Sequence, residues 1–337
     1  MMQSGQGAPT LEMVAARAGV SRATVSRVVN GSPKVTAEVV AVVNEAIAAL
    51  DYVPNRAARS LASRRTQVIA LVVPESTARV FSDPFFAAVV QGVALELAET
   101  DYTLNLLIAS EANSEKTRRY LLGGNVDGAL VVSHHSGDHS YTRLGQELPI
   151  VFGGRPMGAD VVDSTYVDVD NVEGARTAAR HLIEAGRTRI ATIAGRQDMP
   201  GGVDRLAGWR AELEVAGLPH DLVEVGDFSP ADGAAAMRRL LARGVPIDGL
   251  FAANDQMAAG AYSVIREAGL TIPGDIAVVG YDDDRYGETA APPLTTIAQS
   301  PIDLGAEMAK VLVRRLAGEP VERVTMMPTR LVPRASV

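Results

Sequence analysis

Two runs of apolar residues at helical spacing, meeting at a single glycine, constrain this chain more than any other feature. Leu11, Val14, Ala15 and Ala18 share one face of the first run, and Val25, Val28 and Val29 share one face of the second. Thr10 and Ser21 stand where helix N-caps belong, since their side-chain oxygens accept from N–H groups that the first turn leaves free. Gly19 sits where the first helix must stop, a position that favours left-handed dihedrals. Two short helices joined this way have the layout of a helix-turn-helix, whose second helix enters the DNA major groove. Periodicity alone would equally suit any helical hairpin. The other face of the second run decides between them: Arg22, Thr24, Ser26 and Arg27 lie away from the valine stripe, and all can bond phosphates or base edges. A third helix, capped by Thr36 and striped by Val39, Val43, Ile47 and Leu50, supplies the rest of a small shared core.

A net charge of −8 argues against a DNA partner until it is located along the chain. Residues 1–66 carry eight Lys/Arg against four Asp/Glu, and the remainder carries 24 against 36. A basic head on an acidic body is the asymmetry of a module that touches phosphate and a body that does not. The absence of cysteine excludes a disulfide framework and a thiolate metal site. Met1 to Pro9 has no apolar secretory core, and no run approaches the ~20 apolar residues of a membrane span. The expectation is a cytoplasmic protein with no membrane partner.

Tyr52-Val53-Pro54-Asn55-Arg56-Ala57-Ala58-Arg59-Ser60-Leu61-Ala62-Ser63-Arg64-Arg65 links head to body. Pro54 disfavours the α conformation at Val53 and ends the third helix. Asn55 can cap a new helix reaching about Ser63, too short to be stable without support. Arg56 and Arg59 suit phosphate, Ala57 and Ala58 permit close approach, and Leu61 is a lone apolar projection suited to wedging between base steps in the minor groove. A plain basic linker is the alternative.

Residues 10–65 resemble the DNA-binding head and hinge of the LacI/GalR family of bacterial transcriptional regulators. The resemblance is carried by Val20-Ser21-Arg22-Ala23-Thr24-Val25-Ser26-Arg27-Val28-Val29-Asn30-Gly31 and by Pro54-Asn55-Arg56-Ala57-Ala58-Arg59-Ser60-Leu61. It implies that the hinge helix folds on operator binding beside that of a dimer mate, and that the residue at Leu61 opens a central base step. It further implies that Arg22 and Ala23 are the principal base readers, Arg22 toward guanine and Ala23 by apolar contact alone. The DNA-facing set expected on this basis is Thr10, Ser21, Arg22, Ala23, Thr24, Ser26, Arg27, Asn30, Asn55, Arg56, Ala58 and Leu61.

From Gln67 onward, strand and helix signals alternate. Val68–Val73, Leu104–Ile108, Gly128–Val132, Ile150–Phe152, Ile190–Ala194, Gly249–Ala252 and Ile276–Val279 read as buried parallel strands. Amphipathic segments lie between them at Phe85–Glu99, Asn171–Ala185, Val203–Ala216, Ala231–Arg243 and Gln256–Ala268. The alternation predicts doubly wound α/β layers. Val126-Asp127-Gly128-Ala129-Leu130 is answered by Ile247-Asp248-Gly249-Leu250-Phe251, which suggests two lobes of similar topology with a ligand cleft between them.

The family resemblance covers this body too, and implies two doubly wound lobes similar to periplasmic sugar-binding proteins. Its signposts are Asp83-Pro84-Phe85-Phe86, Asp204-Arg205-Leu206-Ala207-Gly208-Trp209, Ala253-Asn254-Asp255-Gln256-Met257-Ala258 and Val279-Gly280-Tyr281-Asp282-Asp283, with Pro292-Pro293-Leu294-Thr295-Thr296-Ile297 as the crossover back to the first lobe. Arg205 offers fixed donors, Asp282 accepts from two hydroxyls, and Asn254 both donates and accepts, which suits a polyol. Phe81, Phe85 and Phe228 could stack on a sugar ring, and Ser82, Asp83 and Gln299 complete the expected effector-binding set. The plain alternatives are a surface ion pair for Arg205, a solvated loop for Asp282–Asp284 and core positions for the phenylalanines. Two features depart from the family pattern. Pro74–Ser82 is several residues longer, and Gly153-Gly154 stands where a polar or acidic residue is common, which predicts room for a larger ligand such as a di- or oligosaccharide.

An enzyme is the main rival. No G-x-G-x-x-G, P-loop or G-x-S-x-G motif occurs. Asp282-Asp283-Asp284 cannot all face one cation, and adjacent His134 and His135 diverge. A free-standing sugar carrier would have no use for the head. The sequence therefore predicts a head at 1–53, a hinge at 54–66 and a two-lobed body at 67–337. The expected protein is a homodimeric, operator-binding regulator, most simply a repressor, controlled by a small carbohydrate, without cofactor, metal or catalysis. A purine or other metabolite is the alternative effector.

Overall fold

The computed structural model describes residues 9–29, 32–53, 65–109, 114–136, 140–158 and 163–337. The chain divides into two compact units, Met1–Gln67 and Val68–Val337.

In the first unit, α1 (Leu11–Ala18), α2 (Arg22–Val29) and α3 (Ala37–Leu50) bury Val14, Val25 and Val43 completely, with Ala15, Ala46 and Tyr52 around them. The Thr10 hydroxyl accepts from Met13 N at 3.3 Å, and Gly19 ends α1 at φ 66°. Ser21 Oγ accepts from Thr24 N at 3.1 Å and starts α2. Thr36 stands at the N-cap of α3, yet its hydroxyl makes no capping bond, contrary to expectation. The packed face of α3 holds that helix instead.

The second unit begins with β1 (Val68–Val73), α4 (Thr77–Ser82), α5 (Pro84–Leu97), β2 (Thr103–Ile108) and α6 (Ser114–Tyr120), which a π turn over Leu121–Asn125 continues. Then come β3 (Gly128–Val132), α7 (Ser140–Leu144), β4 (Ile150–Gly153) and β5 (Thr165–Val169). A second lobe follows as α8 (Asn171–Glu184), β6 (Ile190–Ala194), α9 (Pro200–Val215), β7 (Val223–Val225), α10 (Pro230–Ala242), β8 (Gly249–Ala252), α11 (Asp255–Glu267), β9 (Ala277–Asp282), α12 (Arg285–Thr289) and β10 (Thr295–Ala298). The chain then returns to the first lobe with α13 (Pro301–Leu316) and β11 (Val324–Met327), and ends in the second with β12 (Arg330–Val332).

The sheets run β11-β5-β4-β3-β1-β2 and β12-β10-β9-β8-β6-β7. All pairings are parallel except β12 with β10. Each lobe thus has its first strand between its second and third, and ligands of such sheets bind beyond the strands' carboxyl ends. The sequence echo marks equivalent positions. Asp127 N donates to Val68 O at 2.8 Å and Asp248 N to Arg189 O at 3.1 Å, so each Asp-Gly pair opens the third strand of its lobe against the first.

One strand expected to be buried is not: β2 is an edge strand, half-buried, with Leu106 exposed, because no strand pairs on its outer side. The helices α5 and α13 cross backbone to backbone. A Cβ at Gly92 would lie 1.9 Å from Ile302 O, and one at Gly305 would lie 2.3 Å from Val89 O, so only glycine fits at either crossing point.

Candidate functional site

The carboxyl ends of both sheets line one cleft, which encloses about 800 Å³ including its open mouth. At the end of β9, Asp282 sits at φ 109° and turns its carboxylate into the cleft. Phe228, beyond β7, sits at φ 72°, and Ser133, beyond β3, at φ 61°. Positive φ is uncommon for residues with a side chain, and such strain gathers at ligand clamps. Phe228 is aimed by its neighbours: Asn254 Nδ2 donates to its carbonyl at 2.9 Å, and the ring fills the space that a side chain at Gly195 would need.

Arg205 on α9 is buried and fixed at three points. Nε donates to Asn171 Oδ1 at 2.9 Å, and Nη1 donates to Ala253 O at 2.6 Å and to Asp282 Oδ1 at 3.4 Å. Its guanidinium lies 3.6 Å from the Tyr281 ring centroid. Gln299 Nε2 donates to Asp282 Oδ1 at 2.7 Å. Burial pushes the Asp282 carboxyl up to about 7, against the pull of Arg205. Across the cleft, Asp83 caps α5 by accepting from Phe85 N at 3.0 Å, and accepts from Gln256 Nε2 at 2.9 Å; burial raises it too. The other two aspartates after Asp282 go elsewhere. Asp283 pairs with Arg334, and Asp284 caps α12.

Of the nine residues assigned to the effector, Asp83, Phe85, Arg205, Phe228, Asn254, Asp282 and Gln299 line this cleft. Phe81 and Ser82 do not. The Phe81 side chain is exposed, and Ser82 Oγ donates to Arg79 O on α4, which turns both away from the lining. The Asn254 amide is also less available than its type suggests, since its oxygen caps α11 by accepting from Met257 N at 2.9 Å. Gly153 and Gly154 both border the cleft, but Met308 and Val132 fill the space beside Gly153, so Gly154 is the one that leaves room.

Sequence reasoning missed Arg79, His134, Asp168, Asn171 and Met199 in the lining. Arg79 is carried in by the segment before Asp83, which folds as α4 under a Ser76 cap, and its Nη1 donates to Asp227 O at 2.6 Å in the opposite lobe. Asp168 accepts from Arg155 N, Val169 N and Asn171 Nδ2, and burial raises its carboxyl. Its signal was a lone carboxylate inside an otherwise apolar strand.

In the head, Arg22, Ala23 and Arg27 on α2 are exposed, while Thr24 and Ser26 are half-buried. Arg22 Nε lies 3.1 Å from Glu12 Oε1, and the Thr24 hydroxyl shares a hydrogen bond with Ser21 Oγ at 2.9 Å. Asn30, Asn55, Arg56, Ala58 and Leu61, with the expected hinge helix, lie outside the described residues.

A helix-turn-helix unit carried with a two-lobed binding body defines a ligand-responsive, DNA-binding regulator of transcription. Comparison with known proteins supplies the particular family. Residues 10–55 match the bacterial regulatory proteins of the lacI family, and residues 179–337 match the periplasmic binding protein-like domain. The chain is 47% identical over 333 residues to the HTH-type transcriptional regulator CelR of Thermobifida fusca, covering 97% of this chain and 98% of that one. It is 33% identical to the ribose operon repressor of Escherichia coli K12, covering 96% and 98%. Among solved structures, a transcriptional regulator CelR–cellobiose complex superposes with a TM-score of 0.78 at 45% identity over 98% of this chain and all of that one. The lac repressor dimer bound to operator and the anti-inducer ONPF gives 0.85 at 29% identity, over 97% and 98%. The chain belongs to the LacI family of bacterial regulatory proteins, and it is a regulator rather than an enzyme. Among the described residues, no helix is long and apolar enough to cross a membrane.

Proposed function

We propose that this protein is a cytoplasmic, homodimeric repressor whose operator affinity is set by a sugar in the cleft, foremost a cello-oligosaccharide such as cellobiose. One observation carries the sugar reading: Asp282, Arg205 and Gln299 converge beside the Phe228 and Phe85 rings. Directional donors and acceptors next to aromatic faces suit a ring with hydroxyls at its rim and C–H groups on its face. The relative solved with cellobiose, and the extra room at Gly154, favour a disaccharide. In this reading residues 1–53 are the head, 54–66 the hinge and 67–337 the sensor. Arg22, Ala23 and Arg27 face the major groove, supported by Thr10, Ser21, Thr24, Ser26 and Asn30 at the backbone, while Asn55, Arg56, Ala58 and Leu61 serve the minor groove.

Two heads meet successive half-sites. Ligand changes the angle between the lobes and hence the spacing of the hinge segments. A coupling of ~1–3 kcal/mol changes operator affinity about 5–150-fold, and operator must change sugar affinity by the same factor.

Fluorescence anisotropy with DNA from the protein's own promoter tests this, at fixed salt, with cellobiose, cellotriose, maltose, ribose and guanine. A cello-oligosaccharide is expected to shift the operator Kd by a factor in that range. A shift with guanine alone would replace the sugar by a purine. Loss of sequence selectivity at salt low enough to show plain phosphate attraction would sink the operator reading.

Asp282 gives the binding a pH signature. Sugar hydroxyls donate more strongly to its carboxylate than to its acid form, so binding favours ionisation and releases a proton below the free-state value of about 7. Cellobiose affinity is expected to fall as pH drops from 8 to 5 in calorimetric titration. A constant Kd over that range would remove Asp282 from the contact set.

A further inference from the structure

His134 and His135 part company as their adjacency requires. His134 lines the cleft, with Nε2 3.3 Å from Arg155 O. His135 is buried between the lobes. Its Nε2 lies 3.3 Å from Glu75 Oε1 in the first lobe, and its Nδ1 lies 3.1 Å from Asp198 Oδ2 on the loop after β6 in the second. Beside it Ser136 N donates to Asp198 O at 2.8 Å. Glu75 Oε1 also accepts from Ser133 Oγ at 2.8 Å and faces Arg79 Nε at 3.7 Å, while Arg196 Nη2 donates to Asp198 Oδ2 at 2.6 Å. The charged groups around the ring are therefore two carboxylates in contact, two guanidiniums behind them, and Asp83 beyond Glu75.

A neutral imidazole has one N–H donor and one acceptor, so it satisfies one of these carboxylates and turns a lone pair on the other. Only the imidazolium donates to both. Other bonds cross between the lobes: Arg155 Nη2 to Asp204, Arg79 Nη1 to Asp227 O, and Gln256 Nε2 to Asp83. Of all these partners, histidine is the type that ordinarily changes charge near neutrality.

We propose that His135 is a positioning residue of the effector cleft: as an imidazolium it ties Glu75 to Asp198 across the lobes, so that closing the cleft takes up a proton. The proposal rests on the reading that a ligand changes the angle between the lobes, with closure as the sense of that change. The hydrogen bond and charge of Glu75, with the charge of Asp198, outweigh burial and raise the imidazole pKa. Opening removes Asp198 and with it part of that rise. The closed form is thus fully favoured below the open-state pKa, and loses its advantage as pH rises through the higher closed-state value. Effector affinity falls tenfold for each unit between the two. This alkaline limb has the opposite sign to the acid limb of Asp282, and together they give affinity a maximum between them.

Two measurements on the full-length protein decide the matter. The first is ¹⁵N NMR of its five histidines, with the His135 signal assigned by His135→Gln and titrated from pH 5 to 10. The second is calorimetry with cellobiose over the same range. The expected result is a His135 pKa above the ordinary ~6.5, brought down by Asp198→Asn. Cellobiose affinity should weaken as pH rises from 7 to 9.5, and that limb should flatten in both His135→Gln and Asp198→Asn while the acid limb stays. An ordinary His135 titration that Asp198→Asn leaves unmoved overturns the proposal, as does an alkaline limb that persists in both variants. If no sugar binds at any pH, the sugar reading falls alone, and the NMR titration still decides the latch.

Discussion

Asp282→Asn is expected to weaken cellobiose binding by roughly a hundredfold, with operator affinity in the absence of sugar unchanged within about twofold. The cause is the loss of a charged acceptor. A hydrogen bond to a charged group contributes about 1.5–3 kcal/mol, and a carboxylate at this position can accept from two ring hydroxyls, so replacing it by a neutral amide costs roughly 3 kcal/mol, or about two powers of ten. Asparagine is the informative substitution because the backbone at 282 has φ 109°, a region in which asparagine is enriched and alanine strained. Asparagine Oδ1 can still accept from Gln299, and Arg205 keeps its bonds to Asn171 and Ala253. The second lobe should therefore stay folded, which thermal unfolding checks. The acid limb of the pH profile should vanish with the carboxylate. Calorimetry reads the affinity and anisotropy the operator response. A Kd within a few-fold of the parent would show that Asp282 serves the loop and not the ligand.

How much of this was legible depended on whether a residue's type or its surroundings carried the signal. The apolar runs of β1, β3 and β6 announced themselves because both of their faces are covered. The alternation of Thr165-Tyr166-Val167-Asp168-Val169 did not, since a buried strand carrying a lone aspartate does not read as an apolar run, though all five residues are buried. The helix α13 carries its own signal in the sequence, a Ser300 cap, Pro301 in its first turn and a stripe of Leu304, Met308 and Leu312. The cleft was legible at Arg205 and Asp282, whose charge is hard to bury without a purpose. Phe81 and Phe85 looked alike in sequence. They part in the structure because α4 ends at Ser82, leaving Phe81 on its outer side while Phe85 enters the cleft on α5. The cross-lobe role of His135 could not be read at all, since Glu75 and Asp198 lie far from it in sequence and only the folded chain brings them together.

Arg22→Ala should have the larger effect at the other end of the protein. If Arg22 reads a guanine as proposed, the substitution on a homodimer removes two base contacts at once. A bidentate arginine–guanine pair discriminates by about 1–3 kcal/mol, so loss of two of them is expected to weaken specific operator binding by between roughly thirtyfold and roughly twenty-thousandfold. Nonspecific binding should lose only the share of phosphate attraction that one charge per head supplies. Stability should be unaffected, because Arg22 is exposed and the small core of the head is built from other residues. The pairing with Glu12 at 3.1 Å sharpens the test. If that contact does no more than occupy Arg22 in the absence of DNA, Glu12→Gln should leave specific binding unchanged or tighten it. If instead Glu12 orients the guanidinium for the groove, Glu12→Gln should weaken specific binding in the same direction as Arg22→Ala, but less. Anisotropy with an operator duplex and a scrambled duplex, at two salt concentrations, separates these outcomes. Equal losses on both duplexes in Arg22→Ala would mean that Arg22 touches only phosphate, and that sequence is read elsewhere on α2.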